Sequence, residues 1–257
     1  MTNLRLALRQ IRYQNKSFWR NPASAFFTFI FPLMFLVIFA AIFGNDSVPL
    51  GGGVTVNTAT FYVPAIAVFS VVTACYTNIA MGLTFTRDTG ILKRIRGTPL
   101  PGWAYLFGRI VHAVLIAVLL VAICAGFGVV FYHVTLPTTT LPAFLLTLVV
   151  GAASFCALGA AATVLVPNAD AAPAVVNASI LPLLFISNVF IPLVNPPAWL
   201  DTLSKIFPVR HFADALIGSF FATSGSGFAW GDLAVIAAWG IGGLLFAARF
   251  FSWEPRT

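Results

Sequence analysis

The chain has 257 residues and a net charge of +7, and its composition excludes a soluble globular domain. Hydrophobic residues make up 60% of the chain and charged residues only 8%, whereas a soluble domain carries about 25% charged residues. A membrane-spanning helix needs about 20 apolar residues, so the length accommodates roughly five to seven spans and leaves no room for a soluble catalytic domain.

The positive charge is placed as in a membrane protein and argues against a nucleic-acid partner. Ten of the fourteen Lys and Arg residues lie at or before Arg109, beside the first three apolar runs. Basic residues beside apolar runs mark the cytoplasmic side of a membrane and attract anionic lipid head groups. Cys75, Cys124 and Cys156 fall within apolar runs and lack the spacing of a metal site or a disulfide framework.

The first 20 residues predict an amphipathic helix that lies in the membrane surface. The apolar residues that recur at helical spacing are Leu4, Leu8, Ile11, Phe18 and Trp19. The basic residues that recur with the same period, on a face about 100° away, are Arg5, Arg9, Arg12, Lys16 and Arg20. Such a helix presents its basic side to lipid head groups or to a protein, although a plain topogenic anchor would show the same pattern.

Six apolar runs follow, and they predict an all-α integral membrane fold with six transmembrane helices. The predicted spans are residues 23–43, 61–85, 103–132, 142–166, 171–193 and 231–251. We expect a flexible outer loop at residues 44–60, an outer turn at 133–141 and a tight inner turn at 167–170. With the basic segment 86–102 inside, both termini are cytoplasmic in a multi-pass protein of the plasma (inner) membrane.

Residues 195–230 lie outside and have a composition between that of a span and that of a loop. The segment is apolar, but Pro196, Pro197 and Pro208 interrupt it, and it also carries Asp201 and Arg210. We expect short re-entrant helices that dip into the outer leaflet and are shielded by protein, because irregular backbone is not tolerated against lipid.

The chain lacks the motifs of an enzyme or of an ion-coupled transporter. No phosphate-binding loop, zinc-protease motif or nucleophile elbow is present, the three histidines are far apart, and we predict no catalytic residue and no metal site. The seven acidic residues are scattered over both faces, which disfavours an integral membrane lipid-modifying enzyme. The span interiors contain no Asp, Glu or Lys, which disfavours a proton- or sodium-coupled transporter.

Polar residues inside the spans have two readings. The candidates for a weakly polar translocation path are Thr73, Thr77, Asn78, Asn177, Ser187 and Asn188. The alternative is that each forms an interhelical hydrogen bond, worth under about 2 kcal/mol. The many phenylalanines and the absence of fixed charge at mid-membrane favour a lipophilic or amphipathic cargo.

Three segments resemble the ABC-2 type transporter permeases. The basic segment between the second and third spans is similar to the cytosolic loop of that family, and it reads Arg87-Asp88-Thr89-Gly90-Ile91-Leu92-Lys93-Arg94-Ile95-Arg96-Gly97-Thr98-Pro99-Leu100. The other two segments are Ser187-Asn188-Val189-Phe190-Ile191-Pro192-Leu193, followed by Pro197-Ala198-Trp199-Leu200, and Phe207-Pro208-Val209-Arg210-His211-Phe212-Ala213-Asp214-Ala215-Leu216. The family more often has Glu in place of Asp88 and Asn in place of Phe207.

The resemblance implies one transmembrane domain over residues 1–257 in an ATP-driven exporter of drugs or lipids, or alternatively of a lipid-linked polysaccharide. It implies two separate ATP-binding subunits, which bind the ATP and Mg²⁺ that this chain does not, and a second permease subunit that is identical or a paralogue. The residues expected to couple to the ATPase are Arg87, Asp88, Gly90, Lys93, Arg94, Arg96, Thr98 and Pro99, with Arg5, Arg9, Arg12 and Lys16 of the first helix.

Overall fold

The computed structural model describes residues 3–44, 46–49, 55–193, 196–222 and 225–254. This part of the chain is mostly helical. In chain order the elements are α1 (Asn3–Trp19), α2 (Pro22–Phe43), β1 (Ser47–Pro49), β2 (Thr55–Asn57), α3 (Thr58–Val72), a π-helical turn (Thr73–Thr77), α4 (Asn78–Asp88), α5 (Ile91–Arg96), α6 (Gly102–Tyr132), α7 (Leu141–Ala162), α8 (Ala172–Phe185), α9 (Ala198–Ser204), α10 (Pro208–Phe221) and α11 (Trp230–Phe250).

Within the described residues, five helices are long and apolar enough to cross a membrane, and they coincide with five of the six predicted spans. They are α2, the continuous helix Thr58–Asp88 that comprises α3, the π turn and α4, then α6, α7 and α11. The helix Thr58–Asp88 and α6 have 31 residues each, which makes them about 46 Å long. They exceed the hydrocarbon thickness of about 30 Å, so their ends reach the head groups or beyond.

The segment predicted as the fifth span, residues 171–193, is a shorter helix than expected. Helix α8 has 14 residues and is therefore about 21 Å long. The chain turns after Phe185 because Asn188 adopts a left-handed conformation, with φ of +63°. The Asn188 Oδ1 accepts a hydrogen bond from the Leu193 N–H at 2.9 Å and stabilises the turn.

The outer loop at residues 44–60 is not wholly irregular, and the expectation of a flexible loop is wrong for nine of its residues, which belong to β1, β2 and the start of α3. Strands β1 and β2 pair antiparallel, with Val48 opposite Val56. The Asn57 Oδ1 then accepts from the Ala59 N–H at 2.9 Å and caps the start of α3. The glycines at 51–53 lie outside the described residues.

Helix α3 is the central element of the bundle, because it is buried along nearly its whole length. It contacts α2, α6, α7 and α10. Residues 195–230 contribute two short helices, of which α10 inserts between α3, α7 and α11 and buries Val209, Phe212 and Leu216. Apolar residues that composition placed in a re-entrant segment therefore belong to the core of the fold.

Candidate functional site

The basic segment 86–102 forms a short helix bounded by two glycines. Helix α4 ends at Asp88, and Gly90 has a φ of +72°, a left-handed conformation that favours glycine. Helix α5 runs from Ile91 to Arg96 and ends at Gly97. The Thr98 hydroxyl donates to the Ile95 carbonyl oxygen at 2.7 Å and closes the last turn. The predicted helix and its glycine stop are present.

Helix α5 is held by one apolar side chain and exposes its cations. Leu92 is fully buried, whereas Lys93, Arg94 and Arg96 are exposed. Exposed cations that project from a fixed helix suit contact with an acidic protein surface, because complementary charge steers association and sets its register.

Arg87, at the root of this segment, is buried and does not belong to the exposed surface. Its side chain is 1% exposed, and its guanidinium donates four hydrogen bonds. Three go to carbonyl oxygens after α7, namely Thr163 (3.0 Å), Val166 (2.9 Å) and Pro167 (3.0 Å). The fourth joins Arg87 Nε to Asp88 Oδ1 at 3.0 Å.

Asp88 completes the connection between the two inner loops. Its second oxygen, Oδ2, accepts a hydrogen bond from the backbone N–H of Ala169 at 2.5 Å. We call Arg87, Asp88 and residues 163–169 the inner clamp. The clamp joins the segment that carries α5 to the turn between α7 and α8.

The N-terminal helix α1 has three faces. Ala7 is fully buried and Phe18 is half-buried, whereas Leu4 and Leu8 are exposed, so the predicted apolar stripe is divided between a protein-facing and an outward-facing part. The exposed basic residues are Arg5, Arg9, Arg12 and Lys16. The helix therefore rests on the bundle, points apolar side chains outward and keeps its basic face accessible.

The contact between α1 and α6 depends on Gly108. A Cβ atom at position 108 would lie 2.5 Å from the Gln10 Cβ and 3.1 Å from the Ile11 N. We expect Gly108→Leu to separate the two helices and to lower the free energy of unfolding by about 1–3 kcal/mol. Thermal unfolding of the purified protein measures this loss. Gly126→Leu is the matched control on the same helix, because no atom of the described residues lies within 4 Å of a Cβ at position 126. Equal losses in the two variants would refute the close contact.

Three of the predicted path residues lie together and line a cavity. Thr73 and Thr77 belong to the π turn, and Asn78 follows it. The cavity has a volume of about 240 Å³ and lies between α2, the α3–α4 helix and α6. Its lining residues are Ser24, Phe27, Thr28, Phe31, Pro32, Ser70, Thr73, Ala74, Thr77, Asn78, Met81 and Leu120. Ser24 and Thr28 were not among the predicted path residues, although their i, i+4 spacing places both on one face of α2.

The other three predicted path residues belong to α8 and the turn after it. Asn177 is half-buried in α8, and Asn188 shapes the turn. The Ser187 Oγ is buried and has no hydrogen-bond partner among the described residues. The structure thus divides the predicted path residues between two places, and their role in translocation remains a prediction.

An aromatic cluster lies beyond the cavity, toward the predicted outer side. Phe190 is its centre, with ring centroids 5.2 Å from Phe69 and 5.8 Å from Phe35. Phe39 adjoins it and contacts Tyr62, whose hydroxyl donates to the Phe190 carbonyl oxygen at 3.1 Å. The outer halves of α2 and α3 are therefore joined by aromatic contacts to the turn that follows α8.

The bundle of helices long and apolar enough to cross a membrane is that of an integral membrane protein, and its family identifies the class as a membrane transport permease. The chain belongs to the family described as ABC-2 type transporter, whose sequence profile matches residues 8–221. This membership confirms the resemblance carried by the basic segment. It indicates a transport membrane subunit rather than an enzyme.

Curated relatives are distant and carry transport names. The chain is 24% identical over 173 residues to the probable multidrug ABC transporter permease YbhR of Escherichia coli (strain K12), a match that covers 67% of this chain and 47% of YbhR. It is 25% identical over 226 residues to ycf38 of Porphyra purpurea, which is named as a transport permease. This match covers 84% of this chain and 76% of ycf38. The corresponding protein of Cyanophora paradoxa is 28% identical over 197 residues, with 75% and 66% covered. The match thus spans about half the length of the Escherichia coli relative.

Proposed function

We propose that this chain is the membrane subunit of an ATP-driven exporter that moves a lipophilic or amphipathic molecule out across the plasma (inner) membrane. In this proposal residues 1–257 form one domain with six spans, α8 being the fifth, and both termini are cytoplasmic. Two separate ABC subunits bind ATP and Mg²⁺, and a second permease subunit, identical or a paralogue, completes the assembly. Family membership and the multidrug name of one relative support this class of function.

The proposal rests on one observation: α5 is basic and exposed, whereas Arg87, which precedes it, is buried. Helix α5 presents Lys93, Arg94 and Arg96, and Arg87 ties the base of the same segment to the turn at 163–169. If the basic residues served only to orient the chain in the membrane, the exposed cations would suffice and the inner clamp would not be required. A partner that pushes on α5 moves α7 and α8 through Arg87, and it moves the inner half of the second span through α4.

The basic face of α1 offers a second contact for the same partner. Its basic residues are exposed, and the helix is fixed to α6 at Gly108. In this mechanism the ATP-binding subunit touches both α1 and α5, and its closure tilts the helices that are attached to them. Arg87 acts as a positioning residue within the chain rather than as a contact to the partner.

Charge reversal on α5 tests the coupling. We expect Arg94→Glu together with Arg96→Glu to weaken association with the ATP-binding subunit by about ten-fold or more, because two interfacial attractions become repulsions. The measurement is the amount of ATPase that copurifies with the tagged chain in mild detergent, followed by substrate-stimulated ATPase activity.

The control for this experiment is the charge-conserving pair Arg94→Lys and Arg96→Lys, which should retain the partner. Membrane insertion of all variants is checked by the yield of monodisperse protein. If the reversed variant keeps its partner and its stimulated activity, α5 is not the docking element.

A further inference from the structure

A second cavity lies at the inner end of the bundle, beneath the N-terminal helix. Its volume is about 190 Å³, and it is formed where α1 meets α2, α4 and α6. Ser17, Asn21, Asn78, Arg109 and His112 supply most of its polar groups. It is not part of the inner clamp or of the basic surface on α5.

Arg109 is a cation without a carboxylate partner within the described part of the chain. Its single hydrogen bond there runs from Nη1 to the Tyr105 hydroxyl at 3.0 Å, and no Asp or Glu lies within salt-bridge distance. It lies two turns from the start of α6, close to the boundary between hydrocarbon and head groups when that helix is centred in a bilayer. An arginine at this depth can extend to the head groups, but Arg109 lines a cavity inside the bundle, a position in which an ionisable residue is a candidate for a functional site.

Gly82 makes space for the Arg109 side chain. A Cβ atom at position 82 would overlap the guanidinium, with Nη2 as the nearest atom. The tip of the guanidinium therefore lies against α4 at Gly82, beside the cavity. His112, on the same face of α6, has a buried Nδ1 that lacks a hydrogen-bond partner among the described residues. The mouth of this cavity holds a fixed positive charge and polar groups with capacity to bind a ligand.

The polar cavity adjoins the larger cavity around the π turn, because Ser24 and Asn78 line both. Beyond these two residues the lining changes to Phe27, Phe31 and Met81, mixed with hydroxyl groups. The two cavities are therefore neighbours: one has a cation near head-group depth, and the other is mostly apolar and lies inside the bundle. Together they match the two halves of an amphipathic anion.

We propose that the two adjoining cavities form one binding site for an amphipathic molecule with a phosphate or carboxylate head and an apolar tail, which enters from the inner leaflet. Arg109 pairs with the anionic head, and Ser17 and Asn21 stand beside it as hydrogen-bonding groups. The tail lies between Phe27, Phe31 and the π turn. This inference names the class of cargo and so rests on the proposed export function.

Photolabelling tests the site without ATP and without a partner subunit. The full chain is placed in nanodiscs of neutral phosphatidylcholine with a long-chain alkyl phosphate that carries a diazirine in its chain. We expect adducts on peptides that contain residues 24–32 or 73–81, mapped by mass spectrometry. Arg109→Gln should reduce the yield of adducts about ten-fold, which is the loss of affinity expected when one charge-assisted hydrogen bond is removed.

Matched variants separate charge pairing from a general effect. Gly82→Ala should reduce labelling similarly because the added methyl group displaces the guanidinium, whereas Arg109→Lys should retain part of it. Arg249→Gln makes the same chemical change on the exposed last turn of α11 and should leave labelling unaltered. Thermal unfolding confirms that each variant is folded. Equal labelling by the corresponding long-chain alcohol, or an equal loss in Arg249→Gln, would overturn the proposal.

A final experiment distinguishes an exported molecule from a membrane lipid that stays bound in the site. In the complex with its ATP-binding subunit, ATP turnover before irradiation should clear the alkyl phosphate from the site. Labelling that persists through turnover would overturn the assignment as cargo. Failure of the export proposal itself has a different signature, because the partner would be absent while the labelling of the isolated chain and its dependence on Arg109 remained.

Discussion

Replacement of Arg87 with methionine is expected to lower the free energy of unfolding by about 3–5 kcal/mol. The variant keeps an unbranched apolar stem but removes the guanidinium and its five N–H donors. Three carbonyl oxygens after α7 then lose their partner, and Asp88 is left half-buried without its counter-charge. Thermal and denaturant unfolding of the detergent-purified protein measure the loss.

Arg96→Met is the matched control for this prediction. It makes the same chemical change nine residues further along the same segment, on a side chain that is exposed, and should alter stability by no more than about 0.5 kcal/mol. Limited proteolysis adds a local readout, since the turn at 163–169 should become more susceptible only when Arg87 is replaced. A stability loss no larger than that of Arg96→Met would show that the clamp is not a stabilising connection.

Phe190→Ala is the second change with a large expected effect. The ring is 4% exposed and packs against Phe35, Phe69 and Phe185. Its removal leaves a cavity at the centre of the aromatic cluster and should cost about 3 kcal/mol of stability. Phe250→Ala removes the same side chain from a site that is 54% exposed on α11, and should cost far less.

The same variant tests whether the aromatic cluster closes the cavity on its outer side. A single cysteine at position 73 is introduced after the three buried native cysteines are changed to alanine. A membrane-impermeant maleimide added from outside should not reach it in the otherwise unchanged protein, and should label it when Phe190 is alanine. Labelling before that change would mean that the cluster does not seal the cavity.

The sequence predicted the membrane helices well, since apolar length alone determines which segments can span a bilayer. It also predicted α5, because basic helix-forming residues between Gly90 and Gly97 leave few alternatives. The end of the fifth span was harder to predict from the sequence. Asn188 is one polar residue in an apolar run, and its left-handed conformation depends on the turn around it.

Arg87 shows why the candidate site could not be fully derived from sequence. An arginine at the start of a basic run is expected to be exposed, yet its partners are backbone carbonyl oxygens 76 to 80 residues away. Backbone acceptors have no sequence signature. The cavities pose the same difficulty, because Ser24, Asn78 and Arg109 belong to three different helices. The tight turn at 167–170, predicted on the same side as Arg87, was the available hint.

The π turn at Thr73–Thr77 fixes the direction in which Arg87 points. In this turn the Asn78 N–H donates to the Thr73 carbonyl oxygen, five residues back, so one more residue is used than in an α-helical turn. Every residue after it is thereby rotated by about 100° relative to an uninterrupted helix. Deleting one residue from the turn would restore a regular helix and aim Arg87 away from the carbonyl groups at 163–167. The phase of the second span, set in mid-membrane, therefore decides whether the two inner loops are connected at all.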